Sequence, residues 1–345
     1  MKSALGFIFG LSVALLLTTF AGESPWHILA ILANSAFGSA YDLGIVLFYT
    51  TSLIFTGLSV AIAFHAGLFN IGAEGQLTIS ALTMAATGII FKDLAFPLAP
   101  LLAVFLGLVA SSLWGFIAGY LKAKRGSHEV IITMMMNFIA AGISSYFVVG
   151  ALKNPDSQNP ETAPIGAGFL LKDYDFVHRL SPDSPVNISF LFALVFALAM
   201  AFFLKKTVWG YELKVVGQSE EAASVAGINP KKYKMLSLTL AGAIAGLVGI
   251  NEVLGSAGKF KLGFSPDYGF IGIAVALLAR NNPIGIILAA FLFGALQKGA
   301  SDLDLETAVI TRDFAKILQA IIILSVVAFY FVDLKSWIKK WNKRS

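Results

Sequence analysis

The chain has 345 residues, of which 57% are hydrophobic and only 13% charged, and it contains no cysteine. Soluble domains carry about a quarter charged residues, so a soluble globule and a disordered chain are both excluded; the missing cysteines exclude disulfides, thiolate metal sites and thiol catalysis. The net charge of +5 comes from basic residues placed between apolar stretches, which points to membrane topology and away from nucleic acid.

A helix needs about 20 apolar residues to cross a bilayer. The first apolar stretch, 5–21, follows Met1, Lys2 and Ser3 and reads as a span or a signal peptide, although Phe20, Ala21 and Gly22 make a poor cleavage site. Further spans are expected at 43–64, 77–91, 96–121, 130–152, 188–204, 235–254, 268–279, 284–296 and 314–332. The expected fold is all-α: one transmembrane helical bundle over 1–345, with about ten spans and broken or re-entrant segments. With the N-terminus inside, 16 basic residues fall on the inner side and 8 on the outer, Lys316 lying within the last span. That split obeys the positive-inside rule with both termini inside. Cysteines placed at Ser157 and Ser345 are therefore expected to label from opposite sides.

Residues 66–76 interrupt the pattern. This stretch is glycine-rich and carries Phe69, Asn70, Glu74 and Gln76. Asn70 is expected to cap a helix starting at Ile71. Glu74 then falls in the first turn, where the positive helix end offsets part of the roughly 2.5–3.5 kcal/mol that a carboxylate costs in a bilayer. It reads either as a cap at the membrane surface or as a turn lining a path. Asn137 is expected to make a buried hydrogen bond between helices. The long connection 153–186 holds five prolines and lies outside, as a covering loop or a contact for an external partner.

The inner loop 205–234 contains Ser219, Glu220, Glu221, Ala222, Ala223, Ala226, Gly227 and Pro230. Ser219 caps a two-turn helix, the glutamates complement its dipole, and Gly227 and Pro230 stop it. On physics alone it is a capped surface helix with small side chains, free on the surface or seated in another protein's groove. Asn251 and Glu252 form a second acidic site at the end of an apolar span. Residues 268–279 and 284–296 are too short for two crossings and are expected to form a shallow hairpin. Interrupted segments in both halves of a chain suit a transport path. The chain has no G-x-x-x-x-G-K-[ST] phosphate loop, so any ATP-driven work falls to another chain.

These residues carry a resemblance. Glu221, Ala222, Ala223, Gly227 and Ile228 resemble the EAA coupling loop of ABC importer permeases. Residues 67–76 resemble the signature of the branch that serves branched-chain amino acids, simple sugars and nucleosides, most closely its nucleoside members. Residues 251–255 and 269–283 are similar too, with Ala279 where glycine is expected. The resemblance covers roughly 45–332. It implies a multi-pass permease of the bacterial cytoplasmic membrane without its own ATPase site. It implies a cytosolic ATP-binding subunit docked on Ser219, Glu220, Glu221, Ala222, Ala223 and Gly227, where Ala223→Trp is expected to block docking. An external substrate-binding protein and a second, non-identical permease complete the implied system. The path residues read from the sequence itself are Phe69, Asn70, Glu74, Gln76, Asn251 and Glu252; the cargo that the resemblance implies is a nucleoside, with a sugar, flavin or branched-chain amino acid as alternatives. An ion-gradient-driven transporter competes, since broken helices and Glu74 suit it as well. A scaffold without transport fits poorly with intramembrane carboxylates.

Overall fold

The computed structural model describes residues 2–173, 175–177, 183–307, 310 and 312–331. Within them the chain forms thirteen α-helices: α1 Lys2–Phe20, α2 Pro25–Phe37, α3 Ala40–His65, α4 Ala73–Ile90, α5 Leu98–Arg125, α6 Glu129–Val149, α7 Ser189–Lys206, α8 Val208–Gln218, α9 Glu220–Val225, α10 Pro230–Gly246, α11 Tyr268–Leu278, α12 Pro283–Glu306 and α13 Arg312–Phe331. A π-helical stretch, Ile250–Ala257, follows α10. Extended pairing among the described residues is confined to isolated bridges, Lys153 with Thr162 and Glu161 with Lys261.

α3 is the axis of the bundle. It is apolar on all sides, and Leu53, Ile54, Phe55 and Leu58 are fully buried, as a helix without a polar face must be. α5 buries a stripe of small residues, with Gly107 against Met84 and Ser80 of α4 and with Ser111, Gly115 and Gly119 against α10. Small side chains let backbones approach where dispersion, not water, drives packing. The opposite faces of α5, α6 and α7 expose Leu101, Phe105, Ile131, Phe138, Val195 and Phe202. A water-facing surface rarely carries so much apolar area; a lipid-facing one does.

Among the described residues, six helical segments are long and apolar enough to cross a membrane: Ala40–His65, Leu98–Arg125, Glu129–Val149, Ser189–Lys206, Pro230–Ala257 and Pro283–Glu306. The other four expected spans coincide with shorter or more polar helices, so the expected ten stands at six on length and composition. The last expected span ends at Val332, which lies outside the described residues, as do Arg179, Pro182 and Ser345. Two helices were not expected: α2 and, within the loop 205–234, α8. The expected hairpin is lopsided: α11 has 11 residues and α12 has 24. α12 continues past 296 because Lys298 is neutralised in place, by Asp302 at 2.6 Å and Asp42 at 3.1 Å.

The bundle has two ends. One gathers the end of α3, the α8–α9 segment and the α11–α12 turn. The other gathers the connection 150–177 and residues 258–264, which pair through Thr162 N–H to Phe260 O (2.9 Å) and Leu262 N–H to Pro160 O (3.0 Å). Lys259 adds an ion pair to Glu161 at 2.8 Å.

Candidate functional site

After α3 the chain reverses through Gly67, whose φ of +72° is available to glycine without strain. Residues 68–72 then run back alongside α3 into the bundle. Asn70 is fully buried there. Its Nδ2 donates to Gln76 Oε1 (2.9 Å) and Ser59 Oγ (3.3 Å), and its Oδ1 accepts from Gly72 N–H (3.1 Å) and Gln76 Nε2 (3.3 Å). An unpaired buried amide costs about 1–3 kcal/mol, so this pair fixes the loop. The expected cap at Asn70 is therefore displaced: α4 starts at Ala73 with Gly72 in the cap position and no side-chain cap, because the Asn70 amide is committed to Gln76 and to the turn. Phe69 packs edge-on against Phe64 with ring centres 5.1 Å apart.

Glu74 sits in the first turn of α4. Its Oε2 accepts the Gly269 N–H of α11 at 2.7 Å, and Ser265 also hydrogen-bonds it. α11 begins at Tyr268, so two helix N-termini converge on one carboxylate. Each terminus presents unpaired N–H groups and about half a positive charge. Gly269 permits the approach, since a Cβ there would lie 2.4 Å from the Glu74 backbone nitrogen.

The second acidic site meets the same terminus. Glu252, on the π-helical stretch, accepts from Ser52 Oγ at 2.9 Å and from the Tyr268 hydroxyl. Asn251 Nδ2 donates to Ser52 Oγ (2.9 Å) and to Phe48 O (3.1 Å), and its Oδ1 accepts from Asn187 Nδ2 (3.0 Å). Glu74 and Glu252, 178 positions apart in the numbering, thus bond to the consecutive residues Gly269 and Tyr268. π-helical stretches of this kind recur at functional sites.

Beside Glu74 lies a cavity of about 190 Å3, between α4, α6 and residues 260–265. Thr78, Ser144, Phe260, Phe264 and Ser265 line it together with Glu74. Sequence reasoning missed these five, which are common residue types with no motif of their own. Asn137 also lines it and fastens α6 to α4: Nδ2 donates to Ile71 O (3.0 Å) and Oδ1 accepts from Gly75 N–H (2.8 Å). Asn70, Gln76 and Asn251 do not reach this cavity; their polar atoms pair within the protein.

At the end holding α9, Ser219 caps the helix by accepting from Ala222 N–H at 3.2 Å, and Gly227 adopts φ +78° as its stop. Glu220 pairs with Lys234 of α10. Ala223 is fully buried against its own chain, whereas Val225 is 91% exposed. The outward face is thus Glu221, Ala222, Val225 and Ala226, and Ala223 is not on it. Val225 was missed, since which face turns out depends on what the helix packs against. α8 links this segment to the reversed loop: a Cβ at Gly217 would lie 2.2 Å from His65 O and 2.8 Å from Gly67 N. His65 Nε2 in turn lies 3.0 Å from Asn281 O in the α11–α12 turn.

Residues 42–327 match the family described as the branched-chain amino acid transport system permease component. The guanosine ABC transporter permease NupP of Bacillus subtilis is 37% identical, over 95% of this chain and 93% of its own. The nucleoside ABC transporter permease NupB of Lactococcus lactis is 33% identical over 95% and 91%. The glucose ABC transporter permease TsgB13 of Haloferax volcanii is 32% identical over 85% and 78%.

Proposed function

Because this chain belongs to the permease components of branched-chain amino acid transport systems, and is thus a membrane permease subunit of an ABC importer, we propose that its cargo is a nucleoside. The observation that carries the reading is the similarity to two permeases named for guanosine and nucleosides along nearly their full length. The glucose relative is similar over a smaller share of both chains. In this reading the path runs past Glu74 and the cavity beside it. The amides of Asn70, Gln76 and Asn251, proposed from sequence as path residues, act instead by holding the loop and the π-helical stretch in place; Phe69 and Glu252 flank the path.

The reading places α9 in the cytoplasm, docked on a separate ATP-hydrolysing subunit through Glu221, Ala222, Val225 and Ala226. Ser219 and Gly227 shape that helix, Glu220 pins it, and Ala223 seats it on the bundle. Both termini are then cytoplasmic, and the connection 150–177 faces an external substrate-binding protein. A second, non-identical permease completes the membrane part. The test is uptake of labelled guanosine by the complex in proteoliposomes. ATP-dependent uptake that survives collapse of ion gradients is expected. Uptake that follows an ion gradient and ignores ATP would overturn the ABC role, and uptake of glucose without guanosine would overturn the cargo.

A further inference from the structure

We infer that the cavity beside Glu74 is a subsite for one flat ring with hydrogen-bond donors on its edge, the base of the transported nucleoside; this rests on the cargo reading above. Size is the first argument. Whole-ligand pockets run about 300–1,000 Å3, and this cavity has about 190 Å3. It holds a ring system and leaves the attached sugar outside.

Chemistry is the second argument. One side of the cavity is formed by Phe260 and Phe264, whose rings meet edge-on with centres 5.3 Å apart. The other side is formed by Glu74, Thr78 and Ser144. Thr78 Oγ1 already donates to Glu74 O (2.7 Å) and Ser144 Oγ to Ala141 O (2.9 Å), so both hydroxyl protons are used. A carboxylate offers about four acceptor sites, and Gly269 and Ser265 fill two of those on Glu74. Asn137 Nδ2 gives one of its two N–H groups to Ile71 O and keeps the other, against the open acceptor positions of Glu74, Thr78 and Ser144; acceptors outnumber donors, and a ligand must bring the difference. A nucleobase carries amino or ring N–H donors on one edge and apolar faces that suit phenyl rings. A ribose has hydroxyls all round, so some would be left unpaired against Phe260 and Phe264.

The absence of cysteine gives a direct test. Thr78→Cys is made in the assembled complex and modified with a small thiol reagent, read by mass spectrometry on this chain. At ten times its half-saturating concentration guanosine should slow that modification roughly tenfold, as simple occupancy requires. Ribose should leave it unchanged, and Ser157→Cys in the outer connection should react at one rate throughout. Ser144→Phe, which fills the cavity, should raise the KM for guanosine uptake by a similar factor in complex that still assembles. If wild-type complex imports guanosine but guanosine gives Thr78→Cys no protection, the subsite is wrong and the cargo reading stands. Equal protection by ribose overturns the base assignment. Wild-type complex that imports no nucleoside overturns the cargo reading itself.

Discussion

A carboxylate inside a bilayer costs roughly 2.5–3.5 kcal/mol, and at Glu74 two helix N-termini offset that cost. The first terminus was legible: a glycine-rich turn followed by an acidic residue in the first helical turn is a local pattern. The second was not, because Gly269 lies 195 positions away and nothing local marks the pairing. Two substitutions separate charge from geometry. Glu74→Gln keeps an oxygen for the Gly269 N–H and loses the charge, so uptake should fall while protein yield holds; unchanged uptake would reduce Glu74 to a structural cap. Gly269→Ala ought to stabilise α11 by propensity, by about 1 kcal/mol. Its Cβ, however, would lie 2.4 Å from a backbone nitrogen that cannot swing away. Overpacking of this kind costs about 1–3 kcal/mol or more, so the thermal midpoint in detergent should drop. A raised midpoint would mean the two termini are not held in register.

Helix α9 illustrates what an element's sequence reveals and what it conceals. Cap, dipole and stop were all readable, since each depends on neighbours within a few residues. Which alanine faces outward was not, because that depends on the packing of α9 against α8 and α10. Sequence reasoning placed Ala223, which is buried, among six docking residues and chose it for the bulky substitution, although Glu221 and Ala222 of the same set do face outward. Ala223→Trp should therefore lower stability by about 1–3 kcal/mol or more through overpacking, seen as reduced yield of this subunit alone. Val225→Glu should leave folding intact, because the side chain is exposed, and reduce co-purification of the ATPase by placing an unpaired charge in the contact. The opposite pattern would place the docking face elsewhere. At the other end of the bundle, Lys259 hydrogen-bonds Glu161 and holds its carboxyl below the usual range. A lowered folded-state value means stabilisation present above the ordinary glutamate value, about 4.3, and lost as pH falls through the lower value. Amides of residues 258–264 should exchange hydrogen faster across that acid window, after correction for intrinsic rates, and Glu161→Gln should remove the step.

At the scale of the molecule, each apolar stretch read from the sequence falls on helical chain within the described residues, because a long apolar run in hydrocarbon satisfies its backbone polar groups by forming a helix. The errors fall where polar residues sit on buried helices. α2 was missed because Pro25, His27, Asn34 and Ser35 break its apolar run, and α12 was cut short because Lys298 looks like a loop residue until Asp302 and Asp42 are placed beside it. Crossings are a separate matter from helices. Between Ser157 and Ser224 the described chain contains one segment long and apolar enough to cross, α7. Residues 157–165 before it pair at one end of the bundle with residues 258–262, and α8 and α9 lie at the other. Whatever the total number of spans, these two residues should therefore stand on opposite sides of the membrane. The cysteine-free background makes the measurement clean. In intact cells an impermeant maleimide should modify Ser157→Cys and leave Ser224→Cys untouched until the membrane is opened. Reversed accessibility would invert the orientation and remove α9 from any cytosolic ATPase. Labelling of both from one side would mean that α7 lies in the bundle without crossing, leaving the cavity at Glu74 open to one face alone.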